Sequence, residues 1–293
     1  MEQPLVSVPV ITYNSSKTVL ETLDSIKAQT YQNLELIVSD DCSTDNTVEI
    51  CRNWIEQNKS RFVRTELLTV EKNTGISANF NRAETACKGE WVKPIAGDDL
   101  LMPNCIQDFI KYACRNNGAI YLFSRLIPFS EKQGNRHLMN NIINYNFFSM
   151  PEEQQYRYLI FGRNEIPAPT AFYNKTAVEL LGVKSDERIP MIDDWPRWIN
   201  LLKRGVHFHF VDKELVMYRV SEHSISNSNK LSKAYIQSLA LFYLYYQHME
   251  YKRKDKLLAT KKYINAKKQL NNNMFWKITN RCFIIIYKMV RHE

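Results

Sequence analysis

A chain of 293 residues with 44% hydrophobic and 24% charged residues has the composition of a folded globular protein, and intrinsic disorder is not indicated. The formal charge of +8 is unevenly spread: residues 250–293 carry +9, so residues 1–249 sum to −1. That distribution argues against a nucleic-acid-binding body and directs the basic tail towards anionic lipid, acidic partners or RNA. No stretch approaches the ~18 apolar residues of a membrane span, and no basic segment followed by an apolar run opens the chain, so no secretory leader is expected. The six cysteines (Cys42, Cys51, Cys87, Cys105, Cys114, Cys282) have no CxxC or zinc-like spacing. We therefore expect a reducing, cytoplasmic setting, with Cys87 and Cys114 as small core residues.

In chain order, residues 5–11 form a β-branched run, the pattern of a buried strand, followed by the polar TYNSS. Ser15 or Ser16 can cap a helix whose Val19, Leu20, Leu23 and Ile26 share a face. Residues 34–38 make a second strand ending in SDDCSTDNT, and Asn46 and Glu49 have capping-box spacing before a helix through Val48, Cys51, Trp54 and Ile55. A third strand is expected at 67–70, then NTG and a helix with Ile76, Phe80, Ala83 and Cys87 in one stripe, stopped at Gly89. Residues 91–95 read as a fourth strand. After it come Gly97, the acid pair Asp98 and Asp99, and a helix opened by Pro103. Four strand–helix alternations predict an open, mostly parallel sheet with helices on both faces, whose ligands bind beyond the carboxyl ends of the strands.

Each of those ends carries a polar cluster: Thr12, Tyr13 and Asn14, then Asp40 and Asp41, then Asn73, then Asp98 and Asp99. An isolated Asp-Asp pair often only caps a turn, but four polar strand ends in register point to a nucleotide site. Neither GxGxxG nor GxxxxGK[ST] is present. A divalent metal on Asp98 and Asp99 is then the natural partner of a diphosphate.

A fifth strand is expected at 119–127. Residues 130–165 lose periodicity and read as small helices or an acceptor-facing insertion. Order returns with an extended segment at 166–173, a helix at 175–181, and MIDDWPRWINLLKRG, where Trp195, Trp198, Ile199 and Leu202 form a helical face. Asp193 and Asp194 precede that helix, either as an N-cap or as a general base over the crevice. HFHFV and LVMYRV supply two short strands. His207 and His209 share a strand face without an accompanying carboxylate in the strand, so a metal site there is rejected. Residues 231–268 are expected to be helical, and the basic, aromatic end suits a membrane interface or packing on a second subunit.

VSVPVITYN, VSDDCSTDNT, NTGISANFNRA, GEWVKPIAGDD and IDDW, in this order, resemble the family 2 inverting glycosyltransferases, of the capsule and O-antigen type, over residues 5–225. The resemblance implies a GT-A (nucleotide-diphospho-sugar transferase) fold with a C-terminal helical extension. It also implies a UDP-sugar donor and a divalent Mn²⁺ or Mg²⁺. Thr12, Tyr13, Asn14, Asp40, Asp41, Asn73 and Asp98 would bind the donor. Asp99, with Asp98, would hold the metal, and Asp194, with Asp193, would be the base. The sequence departs from the family pattern at Ala96, where the first Asp of Asp-x-Asp usually stands, at Ile11, Cys42 and Phe80, and at Ser221, where a histidine is frequent; His223 lies two residues on.

The expected organisation is a catalytic domain at 1–228, with a nucleotide-binding half at 1–115 and an acceptor half at 116–228, followed by a basic helical extension at 229–293. The expected partners are a nucleotide sugar and a glycan or lipid-linked acceptor, without nucleic acid. Contact with the inner membrane face and a homo-oligomer remain open, as do two alternatives: a non-catalytic donor-binding or scaffold subunit of a glycan assembly complex and a sugar-phosphate nucleotidyltransferase.

Overall fold

The computed structural model describes residues 3–132, 135–139, 143, 145–162, 164, 166–221, 232–247 and 253–271. The first β-branched run becomes β1 (Val6–Thr12), buried at every position but Ile11. It leads through α1 (Val19–Lys27) to β2 (Leu34–Asp40), which is wholly buried. α2 (Thr47–Asn58) then returns the chain to β3 (Arg64–Thr69), a half-exposed edge strand that starts earlier than expected. α3 (Ile76–Ala86) follows. β1, β2 and β3 pair in parallel, with Thr12 opposite Asp40 and Asp40 opposite Thr69, so their carboxyl ends lie level.

The expected fourth strand is two strands, β4 (Trp91–Val92) and β5 (Ile95–Ala96), both parallel to β1. They are separated by Lys93 and Pro94, and proline has no amide hydrogen to contribute to a ladder. A third short strand, β6 (Leu100–Leu101), intervenes before α4 (Cys105–Arg115). The fifth strand is longer than predicted, β7 (Tyr121–Lys132), and forms an antiparallel hairpin with β8 (Asn135–Leu138). Small helices do stand in the 130–165 stretch: a 3₁₀ turn at Tyr145–Ser149 and α5 (Glu152–Phe161). The 168–170 segment is a 3₁₀ turn rather than a strand, leading into β9 (Phe172–Asn174) and α6 (Lys175–Leu180). α7 (Asp194–Lys203) precedes β10 (Phe208–Arg219). The two strands expected at HFHFV and LVMYRV are therefore one, with register breaks between Val211 and Val216.

The strand order is β3-β2-β1-β4-β9-β7-β10-β6. Pairing in the first half is parallel; β9 runs antiparallel to both β4 and β7, and β10 is parallel to β7. Two cores sandwich the sheet. One packs α1, α2 and α4 on β1 and β2 through Leu23, Trp54 and Phe109; the other packs α3, α5 and α7 through Phe80, Leu159 and Trp198. Cys87 is buried as expected, but Cys114 is exposed near the end of α4 because its side falls off the apolar stripe of Ile106, Phe109 and Ile110.

The C-terminal extension begins with α8 (Lys233–Phe242) and a π-turn at Tyr243–Gln247, and α9 (Arg253–Asn271) packs on α8. Its first helix is built into the second core: the buried Phe242 ring stacks on Trp195 of α7 at 4.1 Å. His223 and the basic residues 272–293 lie outside the described residues. Among the described residues no helix is long and apolar enough to cross a membrane.

Candidate active site

The level strand ends bring the predicted polar clusters together. Thr12 Oγ1 donates to Asp40 Oδ2 (2.8 Å), and Ser43 donates to the same carboxylate through its amide (2.8 Å) and its hydroxyl (2.6 Å). Asp40 is fully buried, so it organises the loop and does not present a free carboxylate. Asn14, with φ +51°, accepts at Oδ1 from the Thr44 amide (2.8 Å) and donates its own amide to Ser43 Oγ (2.7 Å). The loops after β1 and β2 are thereby cross-linked, and Tyr13, 51% exposed, projects its ring at their rim.

Asp41 is equally engaged. It accepts from the amides of Thr74 (3.0 Å) and Gly75 (2.8 Å), the Thr74 hydroxyl (2.5 Å) and Arg82 Nη2 (3.2 Å). Asn73 stands exposed beside this turn and accepts the Gly75 amide at 3.2 Å. The first turn of α3 in turn grips the chain leading to the second acid pair: Ser77 Oγ donates to Ile189 O (2.8 Å) and its amide to Pro190 O (3.1 Å).

Gly97 donates its amide to Ile11 O (3.0 Å) and accepts Thr18 Oγ1 (2.8 Å), which fixes the β5 end against β1. Thr18, not Ser15 or Ser16, stands at the start of α1, and its hydroxyl serves Gly97 rather than the helix. Asp98 is half-buried, whereas Asp99 is 1% exposed and accepts the Arg219 amide at 2.9 Å. Asp98 is thus the more accessible of the pair. Burial, then the adjacent Asp98 charge, holds the Asp99 carboxyl well above the usual carboxylate range, and burial also raises Asp98.

Two cations offset this acid centre. Arg219 Nε donates to Asp98 O (2.8 Å), Nη1 pairs with Glu131 (2.5 Å), and the guanidinium lies 4.7 Å over the Phe129 ring. Lys93 is fully buried and donates to Pro94 O (2.8 Å) and Pro169 O (2.6 Å); burial pushes its ammonium down to about 8.

Asp193 is the N-cap residue of α7 but makes no side-chain capping bond, and Asp194 opens the helix. Asp194 accepts Asn164 Nδ2 at Oδ2 (2.8 Å) and the Trp195 amide at Oδ1 (2.6 Å). Burial, then the Asp194 charge, pushes Asp193 up to about 7, and burial also raises Asp194. A carboxylate pair with affinity for a proton near neutrality is suited to general-base work.

Arg219, Lys93, Arg82 and Asn164 carry no motif that marks them as site residues in the sequence. A positive residue inside an otherwise apolar strand, as at Lys93, was the one available signal; the others become meaningful only through contacts distant in sequence. The oxygen-only donor set of Asp98 and Asp99 fits a hard divalent cation. Among the described residues no group of three or more His, Cys, Asp or Glu side chains forms a metal site. Beside the pair His207 and His209 stand Glu152, at 3.2 Å from His207, and the Tyr112 ring, edge-on to His209.

The chain is 26% identical over 282 residues to an uncharacterized glycosyltransferase, MJ1057, of Methanocaldococcus jannaschii, covering 95% of this chain and 86% of that protein. It is 27% identical to WfaP of Escherichia coli, described as a UDP-Glc:alpha-D-GlcNAc-diphosphoundecaprenol beta-1,3-glucosyltransferase, covering 81% and 85%. The structure superposes on residues 1–349 of S. aureus TarS, solved with UDP-GlcNAc, with a TM-score of 0.60, 18% identity and coverage of 90% and 73%. Sequence comparison matches the family description "Glycosyl transferase family 2" over residues 7–181, the span that holds the three loop clusters and the first acid pair. By that match and the TarS-like architecture, the chain belongs to glycosyl transferase family 2 and has the GT-A fold.

Proposed function

We propose that the protein is an inverting glycosyltransferase, moving a hexose or N-acetylhexosamine from a UDP-sugar to a hydroxyl of a glycan or lipid-linked acceptor in surface polysaccharide biosynthesis. The observation that carries this reading is the arrangement of two carboxylate pairs. Asp98 and Asp99 end the donor half, and Asp193 and Asp194 are tied to that half through Ser77 and the Asp41–Gly75 turn. Tyr13 is exposed for stacking on the base, and the loops shaped by Thr12, Asn14, Asp40, Asp41 and Asn73 would receive the nucleoside.

Asp194, oriented by Asn164, takes the proton from the acceptor hydroxyl. The acceptor oxygen forms its bond to the anomeric carbon as the bond from that carbon to the diphosphate oxygen breaks, and UDP departs with the electron pair. A single displacement inverts the centre. Asp98 and Asp99 would hold Mn²⁺ or Mg²⁺, which when bound supplies positive charge against the developing diphosphate anion.

The relatives support the donor class: WfaP is described as using UDP-glucose, and TarS was solved with UDP-GlcNAc. Residues 1–228 then form the catalytic domain and 229–293 an extension whose basic end meets the inner membrane face. The test is thermal melting with a panel of nucleoside diphosphates, with Mn²⁺, with Mg²⁺ and with chelator. UDP should raise the melting temperature only with metal. No shift with any nucleotide, together with no UDP release from UDP-glucose or UDP-GlcNAc, would leave a non-catalytic scaffold subunit as the correct reading.

A further inference from the structure

α3 touches the segment around the second acid pair at three places. Asn81 Nδ2 donates to Ser185 O (2.9 Å) and to Glu187 Oε1 (2.9 Å), and Asn81 Oδ1 accepts the Ser185 amide (3.1 Å). Ser77 holds Ile189 and Pro190 as described. The third contact lies beyond the acids: Glu84 receives a two-pronged bond from Arg197, Nη1 to Oε2 at 2.9 Å and Nη2 to Oε1 at 2.5 Å. Asp193 and Asp194 therefore sit between an anchor that precedes them and an anchor three residues after Asp194.

The third anchor is an ion pair inside the second core. Arg197 is 2% exposed and Glu84 7%. The Tyr173 hydroxyl also donates to Glu84 Oε1, and the guanidinium lies 4.9 Å over the Tyr173 ring and 5.3 Å over Phe80. Tyr173 is itself stacked on Tyr121 at 5.0 Å. Burying two charges is costly, and an apolar pair of similar volume often does as well or better for stability. Here Arg197 Nε makes no hydrogen bond among the described residues, which adds to the cost. Stability alone is a poor reason for such a pair. What the bidentate fork provides is direction: it fixes the rotation and height of the first turn of α7 relative to α3, and that turn carries the base.

We infer that Glu84 and Arg197 are positioning residues for the transfer reaction, a buried fork that registers the Asp193–Asp194 end of α7 against the donor-binding half. This rests on the assignment of Asp194 as base. The pair touches no reacting atom; it acts by holding α7, so it governs turnover and leaves donor affinity alone.

The test replaces the fork by apolar residues in Glu84→Leu/Arg197→Met and measures three quantities: melting temperature, UDP affinity by calorimetry with Mn²⁺, and UDP release from the nucleotide sugar that the unaltered enzyme turns over. The expected result is an unchanged or raised melting temperature, UDP affinity and donor KM within twofold, and kcat lowered by about 10- to 100-fold, the scale of a sub-ångström to 1 Å misplacement. Full kcat in the folded double variant overturns the inference. So does a parallel fall in UDP affinity, which would assign the pair to the fold alone. Should the double variant fail to fold, Arg197→Lys keeps the charge and loses the fork: lowered kcat at unchanged UDP affinity supports the inference, and full kcat refutes it. Asp194→Asn is measured alongside. If it turns over normally, the base assignment has failed; if it is inactive while the double variant is not, only the positioning role has.

Discussion

Replacing Gly75 by alanine probes the joint between the donor loops and the base segment. Gly75 has φ +89° and ψ 164°, a conformation almost confined to glycine. A Cβ there would stand 2.7 Å from Pro190 Cβ and 2.9 Å from Pro190 O. Backbone strain of roughly 1–3 kcal/mol and a clash of similar size give a destabilisation of about 3 kcal/mol, or roughly 5–10 °C in melting temperature. Ordinary carbon contacts begin near ~3.5 Å, so Pro190 must retreat by close to ~1 Å, carrying Asp193 and Asp194 with it and lowering turnover by about 10- to 100-fold. Gly182→Ala is the control: its φ is +63° but nothing lies within 4 Å of the added carbon, so it should lose about 1–2 kcal/mol with turnover unchanged. The assays are urea unfolding and UDP release. If Gly75→Ala matches Gly182→Ala in turnover, Pro190 does not transmit position to the acid pair and the reasoning fails.

For Asp194→Asn we expect metal-dependent UDP binding to be retained and transfer reduced by about 10²- to 10⁴-fold; near-normal turnover would remove the base assignment. Because burial, then the Asp194 charge, raises Asp193 to about 7, the pair holds a proton at pH 6 and releases it by pH 8, so kcat/KM should climb through neutrality; a flat profile over that range counts against the pair. The sign for stability is opposite: a carboxyl raised in the folded state favours folding below its ordinary value of roughly 4, and that contribution is lost as the pH rises through about 7. Asp194→Asn, with one charge of the pair removed, should therefore unfold with a shallower pH dependence between those limits. Phe242→Ala removes the ring stacked on Trp195 and, at 5.5 Å, on Tyr246, and should cost about 3–5 kcal/mol in denaturant unfolding; no loss would mean that α8 is an appendage rather than part of the second core.

The β-branched runs that became β1 and β2, and the helical stripes at Leu23, Trp54 and Phe80, were legible because periodicity is a local property of the chain. So were the polar residues at the strand ends and the first acid pair, since a buried parallel strand announces where its apolar run stops, and the second acid pair, which stands at the start of the apolar helical face of α7. The division of 91–96 into two strands was half visible in Pro94, whereas the union of 208–219 into one was not, because its continuity comes from β7 beside it. The partners of the acids could not be read at all: the Arg219 amide reaches Asp99 across 120 residues, its guanidinium reaches Asp98 O across 121, and Arg197 reaches Glu84 across 113. Local pattern along the chain placed charge at the edge of the sheet. Only the crossing of β10 past β6 and the packing of α7 on α3 decided which cation faces which carboxylate, because a buried charge takes whichever partner the topology brings within hydrogen-bond distance, and that choice leaves no periodic trace along the chain.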